Sequence, residues 1–391
     1  MEKRVYLDNA ATTMVRKEAI DAMLPIFTEY YGNPSSLHGY ARDAAKRMED
    51  ARAAVARALN AEPFEITFTG GGSESDNTVL RGVLTAYAKK GKHVITSAVE
   101  HHAILYTLDA MQKEGIADVT ILPVDEYGMV TAAQVAEAIQ PDTVLVSVMF
   151  ANNEVGTVMP IGEIGSVCRE KGVLFHTDAV QAVGHVPIDV KAMQIDLLSL
   201  SAHKFHGPKG VGAMYVRKGV RVLPLIRGGG QERHKRAGTE NVPGIVGMAA
   251  ALECAVRNMP ENTARLTALR DRLIHGIEQR VPDVKLNGHP TKRLPNNVNF
   301  SIRYIEGESI LLMLDLNGIA ASSGSACTSG SLDPSHVLLA MGLTHEVAHG
   351  SLRLTMSEFT TDDEIDYVLD VLPAIVQRLR DMSPLYEGGN H

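Results

Sequence analysis

Short apolar runs punctuate the first half of the chain, at Phe64–Phe68, His93–Ser97, Val119–Leu122, Val144–Met149, Val173–Thr177, Ile195–Leu200 and Val211–Val216. Between most of them, apolar positions recur at helical spacing over Glu74–Lys90, Ala103–Glu114, Thr131–Ile139 and Ile161–Lys171. Alternation of buried strands with amphipathic helices predicts an α/β fold, a mostly parallel seven-stranded sheet covered on both faces. The last two runs are joined by a short glycine-containing segment, which predicts an antiparallel pair there. Residues Leu37–Leu59 read as one long helix, with Ala41, Ala45, Met48, Ala51, Val55 and Leu59 along one stripe. After Pro260 the rhythm changes to a helix Thr263–Arg280, short strands near Val298–Ile302 and Leu352–Leu354, and a closing helix Thr361–Arg380. The expected organisation is a large domain over residues 14–259 and a smaller α+β domain from residues 1–13 and 260–391.

Composition narrows the field. At 391 residues the chain exceeds the usual span of one hydrophobic core, in line with two domains. Its 45% hydrophobic and 21% charged residues are those of an ordinary globular protein. A net charge of −8 argues against direct nucleic-acid binding, which needs a basic face. No apolar run is long enough for a signal segment or a membrane span, so no membrane association and a cytoplasmic location are expected. Cys168, Cys254 and Cys327 form no Cys-x-x-Cys pair and cannot build a disulfide framework.

The candidate chemistry gathers at strand ends, where ligands of open α/β sheets bind. Asp178 closes the run Val173–Thr177, and Lys204 follows the run Ile195–Leu200. Such a pair suits a pyridoxal phosphate site: the amine forms a Schiff base and the carboxylate keeps the pyridine nitrogen protonated. The plain alternative is a strand-end salt bridge. Lys209 is the other candidate amine, but it sits in the turn Gly207-Pro208-Lys209-Gly210, where a solvated lysine is expected. The run Phe64–Phe68 leads into Thr69-Gly70-Gly71-Gly72-Ser73 and a helix. Glycines allow close backbone approach and a helix N-terminus attracts anions, so this turn is a phosphate candidate with Ser73 as N-cap. Gln181 lies three residues past Asp178, and one turn can present both to a planar ring. His101 is a titratable strand-end group; the His101-His102 doublet lacks a third ligand at useful spacing, so no metal is expected. Cys327 lies in Ser322-Ser323-Gly324-Ser325-Ala326-Cys327-Thr328, a loop with no core of its own. Free cysteines are usually buried, so this thiol points to use of its reactivity, with Cys168 and Cys254 as structural counterparts on apolar helix faces. Arg353, among leucines, is either paired internally or aimed at an anion. Residues Arg227–Asn241 read as a flexible basic loop.

Tyr6-Leu7-Asp8-Asn9-Ala10-Ala11-Thr12-Thr13, Gly32-Asn33-Pro34-Ser35-Ser36, Glu74-Ser75-Asp76-Asn77, Glu100-His101, Asn152-Asn153-Glu154, His203-Lys204 and the Cys327 segment stand in one order. In that order, from about residue 5 to about residue 380, the chain resembles the cysteine desulfurases of the NifS/IscS group. The resemblance implies a fold-type I pyridoxal-phosphate transferase that works as a homodimer, with active sites at the subunit interface. It implies that Gly72, Ser73, Ser201 and His203 bind the cofactor phosphate, and that Thr239 reaches the phosphate of the partner subunit. Asp178 would pair with the pyridine nitrogen, Gln181 and Asn153 would face the ring hydroxyl, and His101 would stack on the ring. Arg353, with Asn153 and Asn33, would hold the substrate α-carboxylate. Lys204 would move the α-proton, and Cys327 would take sulfur from L-cysteine as a persulfide, leaving alanine. The sulfur acceptor implied is an iron–sulfur scaffold, with transient cluster ligation by Cys327, or a tRNA-thiolation enzyme. Rivals at this stage are an aminotransferase, a selenocysteine lyase and a non-catalytic assembly protein.

Overall fold

The computed structural model describes residues 4–323, 334–384 and 386. The first elements are β1 (Val5–Tyr6), α1 (Lys17–Thr28), α2 (Gly39–Leu59), β2 (Ile66–Thr69), α3 (Gly72–Ala86), β3 (His93–Ser97) and α4 (His102–Lys113). There follow β4 (Asp118–Leu122), α5 (Ala132–Ala138), β5 (Thr143–Ser147), α6 (Ile161–Lys171), β6 (Leu174–Asp178), β7 (Leu197–Ser201) and β8 (Gly212–Val216). Then come α7 (Val242–Arg280), β9 (Val284–Leu286), β10 (Asn297–Ile302), α8 (Gly307–Leu316) and β11 (Ile319–Ala320). The last are α9 (His336–Ala340), α10 (His345–His349), β12 (Ser351–Thr355) and α11 (Asp362–Asp381).

The main sheet has seven strands in the order β2-β8-β7-β6-β5-β3-β4. β7 and β8 are antiparallel, as their short connection predicts; β2 also runs antiparallel to β8, and the other pairs are parallel. Alternate side chains of each strand feed opposite faces, as the pleat requires. Val146, Leu198, Leu200 and Tyr215 pack with α2, α6 and α7, whereas Leu145, Leu197, Met214 and Val216 pack with α3 and α4.

A second core lies over the three-stranded sheet β12-β10-β9, where Val298, Phe300, Leu352 and Leu354 meet α8 and α11. The N-terminus joins this core rather than the large sheet: Val5 pairs with Ile319, and Val5 and Leu7 are buried in it. One expectation fails here. The helix read as Thr263–Arg280 begins at Val242 and runs through Pro260 without interruption. A proline inside a helix forfeits one backbone hydrogen bond. Packing outweighs that loss, because Ile245, Met248 and Leu252 are buried in the large core and Leu266, Leu273 and Ile277 in the small one. The helix is a strut between the two.

Candidate active site

β6 and β7 are parallel neighbours, with Asp178 opposite Ser199, so both chains emerge at the same edge of the sheet. Asp178 ends β6; Ser201 ends β7, and a single turn of 3₁₀ helix carries Lys204. The glycine turn after β2 arrives at the same edge. There a cavity of about 260 Å³ is lined by Lys204, Asp178, Gln181, Ser201 and His203, and by Gly72 and Ser73 of α3. His101, Asn153 and Arg353 complete its wall. Lys209 is exposed and lies outside it.

The buried end of the cavity is acidic. Asp178 Oδ1 accepts from Val180 N at 2.9 Å, and burial pushes the carboxyl up to about 6 against the opposing pull of that bond and Lys204. Beside it Asp76 is fully buried, and burial first, then the charge of Asp178, raises it well above the ordinary range. Asp76 Oδ1 makes no hydrogen bond; its neighbour is His176 Nε2 at 3.7 Å. Burial drives His176 down to about 3, so it stays neutral between Ser147 and Ser199. Two buried, mutually repelling carboxyls, one with an oxygen that makes no hydrogen bond, therefore lie where a cationic ring nitrogen would be welcome.

The opposite end suits an anion. The helix α3 starts at Gly71, whose φ of 146° only glycine holds easily, so Ser73 is not the N-cap expected from sequence but stands in the first turn. A Cβ on Gly72 would lie 2.6 Å from Val180 Cγ2, so the backbone approaches the cavity wall closely. The first-turn N–H groups of α3, with Ser73, Ser201 and His203, offer a set of donors suited to an anion. These residues fit pyridoxal 5′-phosphate, with Lys204 between its acid and anion ends.

Lys204 Nζ donates to the carbonyls of Ala10 at 2.5 Å and Ala11 at 2.9 Å. Gln181 Nε2 donates to the same Ala10 carbonyl at 2.9 Å, and Thr13 Oγ1 donates to His203 O at 2.9 Å. The segment after β1 is thus bound across the lysine. His101 caps α4, its Nδ1 accepting from Ala103 N, which puts the ring proton on Nε2. Burial, then Lys204 and His102, push His101 down to about 4 and keep it neutral. His102 points elsewhere and stacks on Tyr106. Among the described residues no three His, Cys, Asp or Glu side chains group to hold a metal.

Arg353, only 2% exposed, projects from β12 at the other wall. It donates from Nη1 to Asn153 O at 3.0 Å and from Nη2 to Asp8 Oδ1 at 2.9 Å, while Nε has no partner. Its backbone pairs with Ser322, where the Cys327 segment departs. On the far side, Ser335 donates to Glu154 in a buried hydrogen bond, which opposes the burial that pushes Glu154 up to about 7.

The Aminotransferase class-V family matches residues 5–368. Cysteine desulfurase IscS of Clostridium botulinum is 59% identical over 389 residues, which cover 99% of this chain and 98% of that one. This chain is a cysteine desulfurase of the class-V aminotransferase family. Among solved structures, a NifS-like protein superposes with a TM-score of 0.91 at 39% identity, covering 96% of this chain and all of that one. SspA in complex with cysteine superposes with a TM-score of 0.81 at 37% identity, over 91% of this chain and all of SspA.

Two further residues named from sequence, Thr239 and Asn33, stand apart from this cavity. Thr239 is exposed beside a separate cavity of about 230 Å³, bordered by Phe68, Gly70 and Glu232. Asn33 is exposed, its Oδ1 accepting from Ser35 N. Cys327 lies outside the described residues. The loop around Thr239 is also not the flexible segment expected: Glu232 is buried and takes two hydrogen bonds from Arg52 at 2.8 Å each. Glu232, Arg233 and His234 all have φ between 47° and 65°. Left-handed backbone costs roughly 1–2 kcal/mol per non-glycine residue, so the fold holds this turn against its own preference. Sequence reasoning gave no role to Asp76 or Asp8. Asp76 lies four residues after Gly72, hence on the same helix face, and that spacing was the available signal. Asp8 had none, because its partner Arg353 is 345 residues away.

Proposed function

We propose that the chain converts L-cysteine to L-alanine and passes the sulfur on as a Cys327 persulfide. The observation that carries this reading is one cavity holding an amine, a buried acid pair and an arginine, with both flanks of the Cys327 segment at Arg353 and near Glu154. A pyridoxal phosphate bound there supplies an aldehyde that bonds amines and a ring that accepts electrons from the substrate's α-carbon.

The protein's part is positioning and proton transfer. Arg353 offers its fork to the α-carboxylate, a planar contact that lysine reproduces poorly. Lys204 takes the α-proton from the bound substrate and returns one to the product carbon. Neutral His101 has a proton to give at Nε2. The Cys327 thiolate attacks the substrate sulfur: the C–S bond breaks, its electron pair stays with carbon, and an S–S bond forms on Cys327. A proton on that carbon then gives alanine, so atoms and charge balance. SspA, in complex with cysteine, supports the substrate class.

In this reading residues 14–259 hold the cofactor, while residues 1–13 and 260–391 present Arg353 and Cys327. Met14, Ile20, Leu24, Phe27, Tyr31 and Tyr40 are exposed along one stretch, which supports a homodimer in which Thr239 and Asn33 serve a neighbouring site. The acceptor is an iron–sulfur scaffold or a tRNA-thiolation enzyme, met in the cytoplasm. Alanine and sulfide should form in equal amounts from L-cysteine when a reductant clears the persulfide. A Cys327→Ala protein should keep its cofactor absorbance and lose that turnover. Retained turnover would assign the sulfur chemistry to a group other than Cys327.

A further inference from the structure

β2 is an edge strand, so its outward backbone groups need partners other than a neighbouring strand. Two side chains supply them. Arg52 Nη1 donates to Ile66 O at 3.0 Å, and Glu232 Oε2 accepts from Phe68 N at 2.8 Å. The same two side chains face each other bidentately, both nearly sealed from solvent at 3% side-chain exposure. Arg52 comes from α2 and Glu232 from the loop 227–241, so a sheet edge, a helix and a loop meet in one knot. A second tie lies a few residues on: Arg236 of the loop donates to both oxygens of Glu74, at 2.9 and 3.2 Å. Glu74 Oε2 also accepts from Gly70 N at 2.9 Å, within the glycine turn itself. The loop that carries Thr239 is therefore fastened at two points to the strand and turn that lead into α3.

A buried bidentate ion pair is weak evidence of stabilisation, because desolvation offsets much of its attraction. Two neutral apolar side chains would fill the space but would leave Ile66 O and Phe68 N without partners. Fixed geometry is what the pair provides. We propose that Arg52 and Glu232, with Glu74 and Arg236 as the outer tie, are positioning residues that set Thr239 at the right place to complete the cofactor site of the neighbouring subunit. This rests on the reading above that the chain pairs with a second copy and that Thr239 serves that copy's site. The knot fastens the loop offered to the next site onto the edge of the sheet, whose strand is held on its other side by β8, so it is the loop that depends on the knot for its place.

Mixed dimers test this. Lys204→Ala disables one subunit, leaving one competent site per dimer. When Glu232→Gln is on the same chain as Lys204→Ala, that site receives the altered loop; when it is on the opposite chain, the site receives the normal loop. Cofactor affinity, titrated by absorbance, should fall about 10-fold or more in the first arrangement only, the scale of a positioning loss. Equal loss in both arrangements, or no loss, would overturn the proposal. Trypsin gives a readout without cofactor: cleavage after Arg233 and Lys235 should quicken about 10-fold in Glu232→Gln, and unchanged cleavage would sink the knot even if the dimer stands. A monomer by mass photometry would instead remove the subunit-sharing reading beneath it. If Glu232→Gln does not fold, Arg236→Ala, at the partly exposed outer tie, takes its place in the same two arrangements.

Discussion

The floor and the rim of the cavity are built differently. The floor is made by adjacent strand ends: Asp178 and Lys204 sit where β6 and β7 leave the sheet, and each is fixed by the apolar run before it. The rim is made by segments far apart in the chain. Asp8, Asn153 and Arg353 meet there, joined by hydrogen bonds that span 200 and 345 residues. In the proposed reading the floor holds the cofactor and the rim meets the substrate. The lesson is that an α/β sheet supplies a prepared platform, while specificity is added by whichever distant segments cross it.

Substitutions can break that division. The largest effect is expected from Lys204→Ala, a floor change: no covalent cofactor absorbance and a loss of turnover of about 10⁴-fold or more. A yellow, active variant would refute the assignment. Arg353→Lys, a rim change, should raise KM for L-cysteine roughly 10- to 100-fold, the value of a charged hydrogen bond, with cofactor affinity unchanged. If the cofactor is lost as well, floor and rim are not separable. Asp178 gives a floor effect that depends on pH. Its carboxyl titrates at about 6 in the cofactor-free protein and must be ionised to pair with a cationic ring nitrogen. Acid protonates it, so cofactor affinity should fall by up to about 10-fold per pH unit below 6, and Asp178→Asn should flatten the slope.

The smallest effect concerns Glu100, behind the rim. Burial raises it to about 8, although Ser97 and Met149 N donate to it. A carboxyl raised in the folded state favours folding less as pH climbs from its ordinary value toward 8. Glu100→Gln should therefore flatten the fall in melting temperature between pH 6 and 9, by roughly a few degrees. An unchanged pH profile would show that the proton is held elsewhere.

How much of this was legible depended on whether a residue's partner lay nearby in the chain. Asp178, Gln181, Ser201 and Lys204 could be placed because strand-end position is a local property. Gly71 displaced Ser73 as the cap because the turn needs a φ of 146° before the helix begins, a backbone demand that side-chain preference does not encode. A helix start was misread after Pro260 because the two cores that hold α7 on either side of it are tertiary. Glu232 stood in a run of charges, which ordinarily means solvent. An edge strand with unmet backbone groups draws it inward instead.

The tie between Asp8 and Arg353 also orders events during synthesis. Asp8, Asn9 and Ala10 leave the ribosome some 345 residues before their partners Arg353 and Thr355. At about 5–20 residues per second, tens of seconds pass before those partners exist. Through that interval the large sheet can form, but the segment that crosses Lys204 has nothing to close against. Closure of that segment over Lys204 is thus a late step of maturation, and a nascent chain stalled before β12 would leave the lysine uncovered.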